Sequence, residues 1–270
     1  MVVQHNLSAM NTNRQMGVVT SALQKSTEKL SSGYKINRAG DDAAGLSISE
    51  KMRSQIRGLN KASDNAQDGI SLIQVAEGAL NETHSILQRM NELATQAAND
   101  TNTSVDRQSI KDEIEQLNEE LDRISTTTQF NKQDLLTGRF SGKLQVGALE
   151  GQTMDVKISL AVSAKGLKVS AVEVSTNAKA GAAMQSIQDA IESVSKQRSK
   201  LGAIQNRLEH TINNLDTNAE NTQAAESRIR DTDMADEMVQ YSKNNILSQA
   251  GQSMLAQANQ QTQGVLSLLG

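Results

Sequence analysis

The chain has 270 residues, a formal net charge of −4, no proline, no cysteine and no tryptophan, and its only aromatic residues are two tyrosines and two phenylalanines. The lack of cysteine excludes disulfides, thiolate metal sites and a cysteine nucleophile, and the negative charge gives no field that would concentrate nucleic acid or acidic lipid. With so few aromatic side chains, a thick layered core is not expected. The sequence contains no run of 18 apolar residues, so it predicts no membrane-spanning helix.

The first predicted element is an amphipathic helix that ends near Gly33, because glycine commonly follows the last helical turn. Its apolar stripe contains Leu7, Met10, Met16, Val19, Leu23 and Leu30. The same segment lacks a basic cluster followed by an apolar stretch. A cytosolic protein and a protein exported without a cleaved signal therefore both stay open.

A long helix is predicted from about residue 44 to 98, with Asp41 or Asp42 as its cap. Apolar and small residues recur at steps of three and four, which is the seam of a helix lying along another helix. The seam from residue 73 contains Ile73, Ala76, Leu80, Thr83, Leu87, Met90, Ala94 and Ala97. Gly58, Gly69 and Gly78 either weaken this helix or mark places where another chain approaches closely.

A shorter helix is predicted after a polar turn, with Thr103 and Asp106 spaced as a capping box. Its seam contains Ile110, Ile114, Leu117, Leu121 and Ile124. Because the turn is short, the two helices are expected to be antiparallel.

The middle of the chain alternates apolar and polar residues and predicts a β-hairpin. Its strands are Lys143–Gly147 and Met154–Leu160, on either side of a turn at 148–152. A second, weaker strand pair is predicted at Leu167–Ser170 and Val172–Val174.

Helical periodicity returns from about residue 182 to 226 and again after Asp231-Thr-Asp233. The sequence therefore predicts a mainly α fold: a long antiparallel helical rod or coiled-coil bundle with a small β-hairpin region in the middle of the chain. The apolar stripes at both ends of the chain have no globular core to receive them, and an isolated helix is marginal in water. Each end must pack against the other or against another copy.

Catalytic and metal-binding patterns are not found. His5, His84 and His210 form neither HExxH nor an i, i+4 ligand pair, so the sequence predicts no enzyme, no cofactor and no metal. Arg53, Arg57 and Lys61 have helical spacing, but acidic residues interrupt them and no aromatic residues are available to stack bases. Residues 244–270 carry no charge, which favours contact between helices of identical copies over a membrane surface, where Lys and Arg are usual.

Five stretches of the sequence closely resemble the signatures of bacterial flagellin, three of them near the carboxyl end. They are Lys29–Gly45, Asp68–Leu80, Leu201–Leu208, Ala225–Asp231 and Ser253–Asn259. The resemblance covers roughly residues 1–140 and 182–270. It implies a short form in which the large outer domains are missing.

The resemblance implies a structural subunit that is exported unfolded through the flagellar secretion apparatus and polymerises into the extracellular filament used for swimming. It implies an inner domain of residues 1–40 and 228–270, a helical rod of 41–140 and 182–227, and a hairpin insert of 141–181. The expected partners are further copies of the chain, an export chaperone, and the filament cap and hook-junction proteins. The expected self-assembly and chaperone residues are Leu7, Met10, Val19, Leu23, Ile246, Leu247, Ala250, Met254, Leu255, Ala258, Val265, Leu266 and Leu269.

Leu87–Leu93 also resembles the flagellin motif recognised by Toll-like receptor 5. The resemblance implies Arg89 and Leu93 as main receptor contacts, with Glu113 on the neighbouring helix. The alternative is that Arg89 only pairs with carboxylates of its own or the next subunit. A hook–filament junction protein and a cytosolic coiled-coil adaptor are the alternatives for the whole chain.

Overall fold

A computed structural model describes the backbone of residues 6–269 and the side chains of residues 6–261. These residues form a mainly α fold with two small antiparallel strand pairs, which confirms the predicted fold class. The helices are α1 (Leu7–Ser32), α2 (Ala43–Ala97), α3 (Ser104–Thr127), α4 (Asn177–Arg230) and α5 (Met234–Leu269). The strands are β1 (Gln129–Phe130), β2 (Gln133–Asp134), β3 (Phe140–Gln145) and β4 (Thr153–Ile158).

The chain divides into two compact units, and α2 and α4 contribute residues to both. The terminal unit contains residues 1–54 and 221–270, and the central unit contains residues 55–220. The predicted helix from 44 to 98 is confirmed as α2, within one residue at each end.

The central unit has an apolar core between α2, α3, α4 and the β strands. The predicted seams form it, with Ile73, Leu80, Leu87, Leu121 and Leu201 fully buried. Contacts between α2 and α4 show that these helices are antiparallel, because Ser63 Oγ donates to Asp216 Oδ1 (3.0 Å) while Glu77 pairs with Arg198 (3.8 Å).

The predicted hairpin is confirmed by β3 and β4. Their register places Lys143 opposite Asp155, and Met154, Val156 and Ile158 on β4 are buried in the core of the central unit. The hairpin also lies close to α2: a Cβ atom on Gly58 would stand 2.8 Å from Ala148 Cβ. Gly58 therefore marks a close approach, and the approaching segment belongs to the same chain.

The second strand pair, predicted at 167–170 and 172–174, is wrong. The backbone N–H groups of Val169 and Ser170 both donate to the carbonyl oxygen of Ala164, and Lys168 has a left-handed φ of 59°. These local bonds curl the segment into turns, and the apolar side chains of Leu167 and Val169 are buried without a strand partner. The alternating apolar residues of this segment are therefore explained by burial against the core and not by pairing of two strands.

The terminal unit contains the antiparallel pair α1 and α5. Asn6 Nδ2 donates to the carbonyl oxygen of Ala258 (2.9 Å) near one end of the pair, and Lys29 pairs with Glu237 (3.3 Å) near the other. No loop joins the two helices directly. Among the residues that the structure describes, no helix is both long and apolar enough to cross a membrane.

Candidate functional site

The expected assembly residues on α1 and α5 lie on two different faces of the helices. Val19, Leu23 and Leu255 are half-buried, and Ala258 is buried. These four side chains belong to the inner face, where α1 and α5 contact each other. The inner face therefore stabilises the pair within one chain.

The remaining expected residues with described side chains point to solvent. Leu7, Met10, Ile246 and Met254 are 69%, 66%, 67% and 57% exposed, and Leu247 and Ala250 are also exposed. The sequence did not predict two further members of this set, Val18 and Val239, which are exposed as well. We call these eight side chains the outer apolar residues.

Helical spacing explains the separation into two faces. Leu7, Met10 and Val18 fall on one side of α1, because steps of three, four or eight residues return to the same face of a helix. Met16 lies six residues after Met10, which takes it round to the inner face, where it is half-buried. The predicted stripe on α1 therefore combined residues of two faces. On α5, Ile246 lies seven residues after Val239, and Ala250 lies four residues after Ile246. This helical spacing was the sequence signal that could have identified Val239 as a member of the outer face.

Val265, Leu266 and Leu269, the last three expected assembly residues, lie outside the residues whose side chains the structure describes. Their helix, α5, extends to Leu269.

The electrostatic character of α5 changes along its length. Its first turn carries Asp236 and Glu237, and Lys243 is its last charged residue. From Asn244 onward the exposed positions are apolar or uncharged polar. An uncharged surface can be brought against a second copy without like-charge repulsion, and an Ile or Met side chain that becomes fully buried gains about 1.5–3 kcal/mol.

The structure brings two of the three expected receptor residues together on the surface. Arg89 Nη2 lies 2.9 Å from Glu113 Oε1, and both side chains are about half exposed. Arg89 also pairs with Glu92 (3.2 Å) on its own helix. The hydrogen bonds that the Arg89 guanidinium donates to Glu113 and, second, to Glu92 raise the pKa of Arg89 above its ordinary value.

Leu93 has a different position. Its side chain is buried in the core of the central unit. In this structure Leu93 is therefore a core residue and is not exposed beside Arg89 and Glu113.

The described residues contain no group of three or more His, Asp or Glu side chains that could hold a metal ion. His84 lies on α2 with Nε2 3.1 Å from Gln88 Nε2, His210 is exposed on α4, and His5 lies outside the described residues. These positions give no support for acid–base or metal chemistry.

Sequence comparisons match both ends of the chain to one family. The bacterial flagellin N-terminal helical region matches residues 3–141, and the bacterial flagellin C-terminal helical region matches residues 184–269. A flagellin of Halalkalibacterium halodurans is 56% identical over 271 residues, covering 100% of both chains. A "Flagellar filament 31.3 kDa core protein" of Treponema maltophilum is 51% identical over 285 residues, again covering 100% of both chains.

The structure also has a solved relative. The crystal structure of Bacillus cereus flagellin superposes with a TM-score of 0.51 at 33% sequence identity, and the match covers 60% of this chain and 94% of that chain.

Proposed function

This chain belongs to the bacterial flagellin family, and we propose that it polymerises through its terminal unit into the flagellar filament. As a member of this family it is a structural protein and not an enzyme. The observation that carries the mechanism is the contrast between the two units. The apolar clusters of the described structure lie in the central unit, whereas Ile36 and Ala258 are the only buried apolar residues of the described terminal unit.

The outer apolar residues supply the surface for polymerisation. A helix pair with so few buried side chains is marginal alone, so contact with further copies would remove Met10, Ile246 and Met254 from water. Contacts between different faces of identical subunits generate a ring where the rotation between subunits closes and an open helical filament where it does not, and the filament is the arrangement proposed here. Residues 1–40 and 228–270 are accordingly proposed as the inner domain of the subunit, residues 41–140 and 182–227 as its rod, and residues 141–181 as the insert.

The proposal is tested by placing a charge on the outer face of α5. Met254→Glu should lower the amount of protein that sediments after addition of filament seeds by about tenfold or more, since an unpaired buried carboxylate costs several kcal/mol. Met254→Leu keeps the side chain apolar and is the matched control, with sedimentation close to that of the parent chain. Deletion of residues 247–270 should abolish sedimentation altogether.

The same experiment separates the filament subunit from a cytosolic coiled-coil adaptor. An adaptor would stay in the supernatant with or without seeds. Seeded growth of the Met254→Glu chain at the parental level would exclude the outer face of α5 as an assembly surface. Filaments that form only on hook preparations and stop after a few subunits would instead indicate a hook–filament junction protein.

The subunit is further proposed to leave the cell unfolded through the flagellar secretion apparatus and to act in the extracellular filament. The apolar, uncharged end of α5 is the segment suited to an export chaperone, because an exposed amphipathic helix fits a groove on a partner. The filament cap and the hook-junction proteins are its other proposed partners. We propose no contact with nucleic acid or membrane.

A second proposed role is recognition by Toll-like receptor 5, supported by the exposed Arg89–Glu113 pair. An arginine that is already held by carboxylates on a rigid helix needs little ordering on binding, and arginine is enriched at binding hot spots. Leu93 is proposed to contribute from the core of the central unit, where it is buried. Arg89 and Glu113 are the residues proposed to contact the receptor directly.

Arg89→Ala should weaken binding of the soluble chain to an immobilised receptor ectodomain by more than about 1 kcal/mol. Arg123→Ala is the matched control, since Arg123 also forms an exposed ion pair three residues away on its helix, with Glu120. Equal affinities of the two variants would remove Arg89 from the receptor surface.

A further inference from the structure

The turn between β3 and β4, residues 146–152, presents an exposed leucine on a rigid backbone. Leu149 is 68% exposed. Its N–H donates to Gln152 Oε1 (3.1 Å), and its carbonyl oxygen accepts from Gln145 Nε2 (2.8 Å). Because these bonds hold the backbone in place, little conformational freedom is lost when a partner covers the leucine side chain.

A surface groove lies between the segment that precedes α4 and the first turns of α4. Its volume is about 310 Å³, which is at the small end of the range for binding pockets, about 300–1,000 Å³. Its apolar lining consists of the short side chains of Ala171, Val172, Ala182 and Ala183. The groove therefore suits one aliphatic side chain of a partner.

The charges beside the leucine and beside the groove are complementary. At the edge of the groove, Lys179 pairs with Glu173, whereas Lys168 has no ion-pair partner among the described residues. Next to Leu149, the exposed Glu150 likewise lacks a basic partner in the part of the chain that the structure describes. A free carboxylate beside the leucine and a free ammonium beside the groove attract each other when the two surfaces meet.

The turn and the groove lie near opposite ends of the central unit. Ala148 on the turn packs against Leu215 and Ala219 of α4, whereas the groove is lined by Ala182 and Ala183 of the same helix. Leu215 lies 32 residues after Ala183, which corresponds to about 48 Å along a continuous helix. The turn therefore cannot reach the groove of its own chain, and the occupant that matches the groove is the turn of a second copy.

We propose that the β3–β4 turn of one copy docks in this groove of the next copy, with Leu149 in the groove and Glu150 beside Lys168. The inference rests on the proposed function and adds to it a contact made by the central unit. Because the two contacting surfaces are different and lie far apart, each copy binds one neighbour through its turn and another through its groove. Such a head-to-tail contact repeats along a row of copies.

The leucine is tested in the full-length chain by the concentration of protein that stays in the supernatant after seeded growth. Leu149→Asp should raise this concentration by about tenfold or more, because a carboxylate in an apolar groove loses its hydration. Leu149→Met should leave it within about twofold of the parent, because the side chain stays apolar and similar in size. The urea midpoint of Leu149→Asp should match that of the parent, since the leucine is exposed in one chain.

Val105→Asp is the matched control for an acidic residue on the surface of the central unit. Val105 is 73% exposed at the start of α3 and lies outside the turn and the groove. The supernatant concentration of this variant should stay close to that of the parent. A rise equal to that of Leu149→Asp would overturn the proposal, because the effect would then not be specific to the turn.

The charge pair is tested by reversing each charge and then both. Glu150→Lys and Lys168→Glu should each raise the supernatant concentration by about threefold or more, because like charges then face each other between copies. The double reversal should return it to within about twofold of the parent. Lys165→Glu is the control, since Lys165 is exposed nearby but does not line the groove.

A double reversal that assembles no better than the single variants would overturn the contact between Glu150 and Lys168, and parental assembly of Leu149→Asp would overturn the docking of the turn. Failure of the proposed function gives a different result. In that case the parent chain itself does not sediment with seeds, which removes this inference as well.

Discussion

Single polar side chains close the helix ends of this proline-free chain. Asn6 Oδ1 accepts from the N–H of Ala9 at the start of α1 (3.0 Å), and Asp233 Oδ1 accepts from the N–H groups of Ala235 and Asp236 at the start of α5. Each of these bonds satisfies a backbone donor that a helix leaves free at its first turn. Without proline to stop a helix, the ends depend on such caps.

The capping box of α3 gives a prediction at this scale. Hydrogen bonds from the Thr103 hydroxyl and then from its N–H hold the pKa of the Asp106 carboxyl below its ordinary value. A carboxyl with a lowered pKa in the folded state adds stability above its ordinary value, about 3.9, and this stability is lost as pH falls through the lowered value. Thr103→Ala should therefore raise the pKa of Asp106, as measured by NMR titration of its carboxyl carbon.

The same substitution should destabilise the chain by about 1 kcal/mol in urea unfolding at neutral pH, because an N-cap bond is lost. The difference in the free energy of unfolding between the parent chain and Thr103→Ala should become smaller once the pH is below the folded-state pKa of Asp106. An unchanged titration in Thr103→Ala would contradict the assigned cause.

At the scale of elements, the glycines of α2 distinguish close packing from open surface. Gly58 faces Ala148 on the turn between β3 and β4, and Gly69 faces Leu144 on β3, whereas a Cβ atom on Gly78 would meet nothing within 4 Å. Beyond Gly45 in its first turn, the helix therefore carries two glycines where the hairpin approaches and one where no other atoms lie close. Among these three positions, helix propensity favours alanine at all of them, whereas packing disfavours it at Gly58 and Gly69 only.

Gly78→Ala should stabilise the chain by about 0.5–1 kcal/mol, because alanine has the higher helix propensity and there is room for its methyl group. Gly58→Ala should destabilise it by about 1 kcal/mol, because overpacking against the Cα and Cβ of Ala148 outweighs the same gain. The difference is measured as the shift of the urea midpoint. A stabilised Gly58→Ala chain would show that the hairpin moves away at little cost.

Sequence periodicity predicted the helices of the central unit well, because most residues of the predicted seams, Leu80 and Leu201 among them, are buried. It was less informative where burial occurs without regular structure, as for Leu167 and Val169 in the turns before α4. The two faces of α1 were merged because both carry apolar residues, and only contact with α5 distinguishes Met16 from Met10. The stacking of Arg230 on the Tyr34 ring was not predictable, since the two residues are brought together by tertiary structure alone.

At the scale of the whole molecule, the two units differ in what they bury. The central unit encloses large side chains such as Ile73, Met90 and Leu136, all with no exposed surface. The described terminal unit instead exposes Leu7, Ile246 and Met254. The central unit has its apolar core within a single chain, whereas the apolar side chains that the terminal unit exposes are suited to burial against neighbouring copies.

The pairing of α1 with α5 also has a consequence for the order in which the molecule is made. The bond from Asn6 to Ala258 joins residues 252 positions apart. A ribosome releases the amino end first, so α1 emerges long before the segment that will cover its inner face exists. Throughout that interval the side chains of Val19 and Leu23 lack the α5 surface that half-buries them in the finished molecule, so the α1–α5 pair can form only after α5 has been translated.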